Sequence, residues 1–272
     1  MKQKSTKKLL STSLLLVLIA LVSLTAATTA WMTIADSTRL KTMRLDVTSG
    51  ANLRFDLDPH ETFEEYVKSI RLIDISDRIL RDQGYHPREN PLSPVTTTDC
   101  VHFTLEDGEP APKESYMEFV LHFMSTDDMV VHLTTAGEEG TRIFSDEVSD
   151  IAKAMRISFT ADDGTSVYDP GMEPGSEEGL GGKIFGLAKG NRIVYDNSNA
   201  LFFLSAGVDK PVTVRIWLEG TDEICTDALR GVPYNIQLRF VGTDENGNLL
   251  EDPRTTRRSA AATPTEERNE NE

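Results

Sequence analysis

Five histidines, His60, His86, His102, His122 and His132, are the obvious metal-binding and acid–base groups of this sequence. His122 and His132 lie in two apolar-alternating runs, Tyr116–Phe123 and Met129–Thr134, joined by the polar Ser125–Asp128. Such runs predict a β-hairpin. In it His122 and His132 face each other with Cβ atoms about 5 Å apart. With His102 on a neighbouring strand, the three imidazoles make a candidate zinc site. The same histidines also read as polar residues on a solvated sheet face. No His-Glu-x-x-His helix is present, so a zincin-type protease lacks its ligands.

Carboxylates offer other chemistry. Asp162-Asp163-Gly164 and Asp244-Glu245-Asn246-Gly247-Asn248 carry calcium-binding residue types, but neither fits the twelve-residue EF-hand loop and both fit β-turns. Glu219, Asp222 and Glu223 cluster beside Trp217. Carboxylate catalysis on a sugar needs two such groups held about 5–10 Å apart across a cleft. A solvated acidic loop after a surface Trp217 is the plainer reading. That surface indole, with the 165–190 loop, would give a glycan a stacking platform. No P-loop and no Gly-x-Ser-x-Gly elbow occurs. The sequence therefore predicts neither an enzyme nor a cofactor.

Cys100 and Cys225 are the two cysteines. Joined, they would close a long loop, contributing about 4–5 kcal/mol in the chain-entropy model. Two thiols are equally compatible with the spacing.

The elements that must position these groups are short strands. In Val212–Leu218, Val212, Val214, Ile216 and Leu218 fall on one face, with Thr213, Arg215 and Trp217 on the other. Tyr234, Ile236, Leu238 and Phe240 repeat the pattern. Period-two alternation is a strand signal, and one-sided strands must bury their apolar faces against a second layer. Met43–Val47 and Ala51–Asp58, separated by Ser49-Gly50, predict neighbouring strands. Glu61–Tyr85 predicts a short helix or irregular insert, and Ser145–Met155 a short helix capped by Ser145. Asp169–Gly190 predicts a long surface loop. With strands at Val101–Leu105, Ala154–Thr160, Thr165–Tyr168, Arg192–Tyr195 and Ala200–Leu204, the fold class is all-β. The expected architecture is a single antiparallel β-sandwich with short helical inserts.

The chain's beginning reads as a targeting segment. Lys2, Lys4, Lys7 and Lys8 precede an apolar stretch, Leu9–Leu24, and a run of small residues ending at Ala30. This pattern is a secretory signal peptide over 1–30, cut between Ala30 and Trp31. The competing reading is an uncleaved anchor, which needs about 20 apolar residues. The expected organisation is one sandwich domain over 31–243 and a disordered polar tail over 244–272. A net charge of -16 argues against nucleic acid as a partner.

The chain resembles the bacterial exported proteins with a SipW-type signal peptide, the group that includes TasA and camelysin. The resemblance rests on Ala30-Trp31 followed by Asp36, Leu92-Ser-Pro-Val-Thr-Thr-Thr-Asp99 and the Tyr116–Leu133 segment. It continues through Ala154-Met-Arg-Ile-Ser158 and Arg215-Ile-Trp-Leu-Glu-Gly-Thr-Asp222 with Cys225. It implies a jelly roll, a secreted or cell-surface location in a Gram-positive setting, and a part in extracellular fibres or biofilm matrix. The implied partners are further copies or other matrix proteins, and signal peptidase during export. Membrane contact is expected only through the signal peptide. Strand exchange by the segment from Trp31 to Val47 is the assembly mode expected, with removal of 31–42 leaving a folded monomer. A glycan or cell-wall binding module and a metal-dependent hydrolase are the alternatives.

Overall fold

The computed structural model describes residues 40–47, 52–147, 150–226, 229 and 232–250. The signal peptide and its cleavage site at Ala30 and Trp31 lie outside the described residues, as do 251–272 of the tail. The described residues open with β1 (Leu40–Val47) and β2 (Leu53–Asp56). A 3-10 turn leads to β3 (Ser69–Arg71) and at once to helix α1 (Leu72–Gln83). Next come β4 (Pro94–Thr97), β5 (Phe103–Thr104), β6 (Met117–Ser125), β7 (Met129–Leu133) and β8 (Arg142–Phe144). The one-turn helix α2 (Ile151–Ala154) precedes β9 (Met155–Ala161) and β10 (Gly164–Tyr168). The series closes with β11 (Gly175–Gly179), β12 (Gly182–Gly186), β13 (Ala200–Leu204), β14 (Lys210–Glu219) and β15 (Tyr234–Thr243).

These strands form two sheets. A six-stranded sheet runs β13-β7-β15-β1-β3, with β8 also on β15. A nine-stranded sheet runs β11-β12-β10-β9-β14, and β14's other edge carries both β6–β2 and β4–β5. The two most strongly alternating stretches become the central strands of opposite sheets, β14 and β15. Their inward residues, including Ile216 and Phe240, have no exposed surface. Phe240 meets Phe55, Phe123 and Phe159 across the interior at ring separations of 5.7, 5.2 and 5.9 Å. The protein is an all-β sandwich with short helical inserts. Three strand pairs are parallel, β1 with β15, β10 with β12 and β14 with β4, so the sheets are mixed rather than purely antiparallel.

Several local expectations change. Tyr116–Leu133 is not a hairpin: β6 pairs with β14 and β2, whereas β7 pairs with β13 and β15 in the other sheet. Ser125–Asp128 is a corner between layers, held by Gly207 N–H donating to the Ser125 carbonyl and Ala206 N–H donating to the Asp128 carboxylate. Alternation dictates which face of a strand is buried but not which strand lies beside it. For the same reason β1 and β2 fall in different sheets. The stretch 169–190 holds the β11–β12 hairpin, turned by Leu180 and Gly181 at φ 54° and 75°. Such paired left-handed residues suit a two-residue hairpin turn. β11 carries no apolar alternation because Ser176, Glu177 and Glu178 are all exposed. No strand forms over 192–195.

Glu61–Tyr85 contains a genuine helix. Leu72, Ile75 and Ile79 bury one face of α1, and Gly84 ends it at φ 81°. The strand-like blur arises because β3 abuts α1 with no linker. The helix expected from Ser145 is confined to Ile151–Ala154. Past 243, Asp244–Leu250 is an ordered turn, with Leu250 N–H donating to the Gly242 carbonyl at 3.1 Å, so the sandwich extends beyond the expected boundary. Among the described residues no helix is long and apolar enough to cross a membrane.

Candidate functional site

The three histidines singled out from the sequence are not brought together. His102 lies in an exposed turn before β5, its Nδ1 2.7 Å from Asp99. That contact, with the backbone N–H groups of His102 and Val101, holds the Asp99 carboxyl well below the usual carboxylate range. His122 stands on β6, its Nδ1 2.9 Å from Asp209. His132 is buried on β7 in the other sheet, between Asn199 Oδ1 at 2.8 Å and Thr243 Oγ1 at 3.1 Å. Burial pushes its pKa down. The three-histidine site thus fails with the hairpin that would have built it. Among the described residues no group of three or more His, Cys, Asp or Glu side chains converges on a metal position.

Trp217 is not a surface residue. Its indole has no exposed area and sits on the outer face of the nine-stranded sheet beneath a second, smaller core with Val95, Cys100, Phe103 and Val167. Phe103 meets it edge-on at 5.3 Å and stacks on Tyr116 at 4.1 Å. Trp217 Nε1–H donates to Glu219 at 3.0 Å, and Glu219 also accepts from the Thr221 hydroxyl at 2.7 Å. β4, β5 and the chain that follows roof this face, which converts an outward indole into a core residue. Asp222 is held by Arg156 at 2.9 Å, and the same guanidinium bonds Asp169 at 3.0 Å. Two of the three suspected catalytic carboxylates therefore have structural partners.

No disulfide joins Cys100 and Cys225. Cys100 lies in the outer cluster, whereas Cys225 packs against the main core, so the sheet stands between them. Burial pushes the Cys100 thiol up to about 11. The suspected calcium loops are turns with other duties. Asp163 accepts the Phe203 N–H on the rim of β13 and pairs with Lys210. Asp244 accepts the N–H groups of Asn246 and Asn248.

Sequence reasoning missed one polar grouping. Asp209 binds His122 and also accepts the Tyr66 hydroxyl at 2.7 Å. Tyr66 receives the His60 backbone N–H, and the His60 ring lies 3.3 Å from Asp56. The two imidazole–carboxylate pairs and the phenol pin the 57–66 loop to the start of β14. Burial pushes the Tyr66 hydroxyl up to about 12. Through these bonds the group fastens the loop. Asp209 stands in a loop between strands, where no periodic signal marks it.

The feature with most functional content is the seat of β1. The strand lies between β15, parallel to it over Leu40–Val47, and the three-residue β3. Leu40, Met43, Leu45 and Val47 are buried. At about 1.5–3 kcal/mol per buried apolar side chain, the seat is worth roughly 6–12 kcal/mol, comparable to a domain's whole stability. Every partner of β1 in β15 is distant in sequence. Thr42 Oγ1 donates to Asn235 Oδ1 at 2.6 Å across a separation of 193 residues. Compared with protein-family models, curated proteins and solved structures, the chain gives no significant match in any of the three.

Proposed function

We propose that this is an exported, non-enzymatic structural protein of the cell surface or extracellular matrix, TasA- or camelysin-like, whose copies join by exchanging their first strand. The observation that carries this reading is β1 itself. It is deeply seated and pairs in parallel with a strand distant in sequence, so the same buried contacts can be made by the β1 of another copy. Exchange of an identical element is a low-cost route to assembly because it creates no new interface inside the seat.

The energetics set the form of the mechanism. A chain lacking β1 would expose the seat and lose stability of the order of the whole fold, so a stable vacant monomer is not expected. Removal of 31–42 therefore cannot serve as a neutral truncation, since Leu40 is buried and Thr42 is bonded to Asn235. The appropriate deletion is 31–39, which spares the strand. The direct test is a lock. Thr42→Cys with Asn235→Cys, in a Cys225→Ser background, joins opposed positions of β1 and β15. Locked protein should stay monomeric and recover assembly on reduction. Equal assembly of locked and unlocked protein would exclude strand exchange.

A further inference from the structure

Asn246-Gly247 is the one Asn-Gly pair in the sequence, and the fold dictates its glycine. Residues 244–248 turn the chain back at the end of β15. Gly247 N–H donates to the Asp244 carbonyl at 3.0 Å, and Asp244 N–H donates to the Asn248 carbonyl at 2.9 Å. Gly247 stands at φ 80°, a left-handed conformation that strains residues with a side chain. A Cβ at this position would also run into the Tyr195 carbonyl oxygen. Conformation and space therefore both require glycine at 247.

That requirement has a chemical consequence for the residue before it. Asn246 is exposed. The carboxamide carbon of an asparagine lies within reach of the next residue's backbone nitrogen, and closing that bond gives a five-membered ring. A side chain on the next residue obstructs the approach, and glycine has none. Every other asparagine in the sequence precedes a residue that carries a side chain, as in Asn197-Ser198, Asn235-Ile236 and Asn248-Leu249.

From this placement we propose that Asn246 is a site of spontaneous modification, converting through a cyclic imide to aspartate and isoaspartate. The Gly247 nitrogen loses its proton to solvent base and attacks Asn246 Cγ. A new N–C bond forms, the bond from Cγ to Nδ2 breaks, and ammonia leaves. Water then opens the ring. Attack at the Cγ carbonyl restores the original main chain and leaves aspartate. Attack at the main-chain carbonyl leaves isoaspartate, in which the chain runs through Cβ and Cγ. The folded turn restrains the reaction, because the attacking nitrogen is the one whose N–H holds the Asp244 carbonyl. Local opening of the turn has to come first.

The product alters the turn. Asp244 gathers the N–H groups of Asn246 and Asn248 and the Asn248 side-chain amide, each at 2.9 Å. An isoaspartate lengthens the main chain at 246 and carries Asn248 out of register with these acceptors. Leu250 N–H, held by the Gly242 carbonyl at 3.1 Å, then loses its bond. Either product also places a new carboxylate beside Asp244 and Glu245. None of this depends on whether copies assemble.

The test is a timed incubation of the folded protein at neutral and mildly alkaline pH, followed by peptide mapping. The peptide containing 246 should gain the mass difference between NH2 and OH and split into two chromatographic forms. One of these should accept a methyl group from an isoaspartyl methyltransferase. Conversion should speed up with pH, run faster in urea than in native protein, and precede conversion at Asn197. The isoaspartyl form should lose hydrogen-exchange protection at Leu250. Asn246→Gln, whose cyclisation needs a slower six-membered closure, should melt as the wild type does and stay unmodified. An Asn246 still intact once Asn197 has converted would overturn the site. Equal rates in native and denatured protein would overturn the restraint by the turn, and full protection at Leu250 in the isoaspartyl form would overturn its structural effect.

Discussion

Thr42 and Asn235, 193 residues apart, face each other across the parallel pair of β1 and β15 with a hydroxyl-to-amide-oxygen bond of 2.6 Å. The bond ties β1 to the last long strand in the six-stranded sheet. Locking this pair with the two cysteines should therefore raise thermal stability while suppressing assembly. Melting with and without reductant, followed by sizing, checks both arms. A locked protein that melts lower than its reduced form would show that β1 is not seated as described.

Trp217 makes the second prediction. Trp217→Ala removes a fully buried indole and leaves Glu219 without one of its donors. It should cost about 3–5 kcal/mol in denaturant unfolding. Any change in glycan binding should follow the loss of folded protein and not precede it. Loss of glycan binding in a variant of native stability would return Trp217 to the surface.

His132 gives a pH dependence. Burial depresses its folded pKa below the usual value of 6.5, so the unfolded chain takes up the proton first as pH falls. Its contribution is present in full above pH 6.5 and is lost as pH drops from there toward the lower folded value. Denaturant unfolding across this window should show stability falling with acidity, and His132→Gln should flatten that slope. Asp99, whose pKa is depressed by His102 and two backbone donors, loses its contribution only as pH falls from about 3.8 toward its lower folded value, and so stays distinguishable. An unchanged slope in the variant would remove His132 as the cause.

The thiols supply a fourth. Cys100 is buried and its pKa is pushed up to about 11, so its nucleophilic thiolate is scarce at neutral pH. Alkylation of native protein should modify Cys225 well before Cys100, and the intact mass should show two thiols. A mass two hydrogens lower would mean that the pair had bridged.

Much of the sandwich is legible in particular residues. Val212, Val214, Ile216 and Leu218, with Tyr234, Ile236, Leu238 and Phe240, announce two one-sided strands, and these become the centres of the two sheets. The same rule fails for Trp217, because alternation separates two faces without revealing that a distant segment covers the second one. It fails for His122 and His132 because adjacency in sequence is only a guess at adjacency in a sheet. β6 and β7 each find better neighbours elsewhere. β11 is silent because an edge strand with solvated faces needs no apolar residues. Asp209, which gathers Tyr66 and His122, belongs to a loop whose position only the folded layers determine.

The most direct measurement of the central claim is the size distribution of residues 31–272 by light scattering, followed by electron microscopy of the largest fraction. Strand exchange predicts fibres or large oligomers that the Thr42→Cys and Asn235→Cys lock abolishes and reduction restores. A monomer that persists across pH, salt and calcium would contradict it.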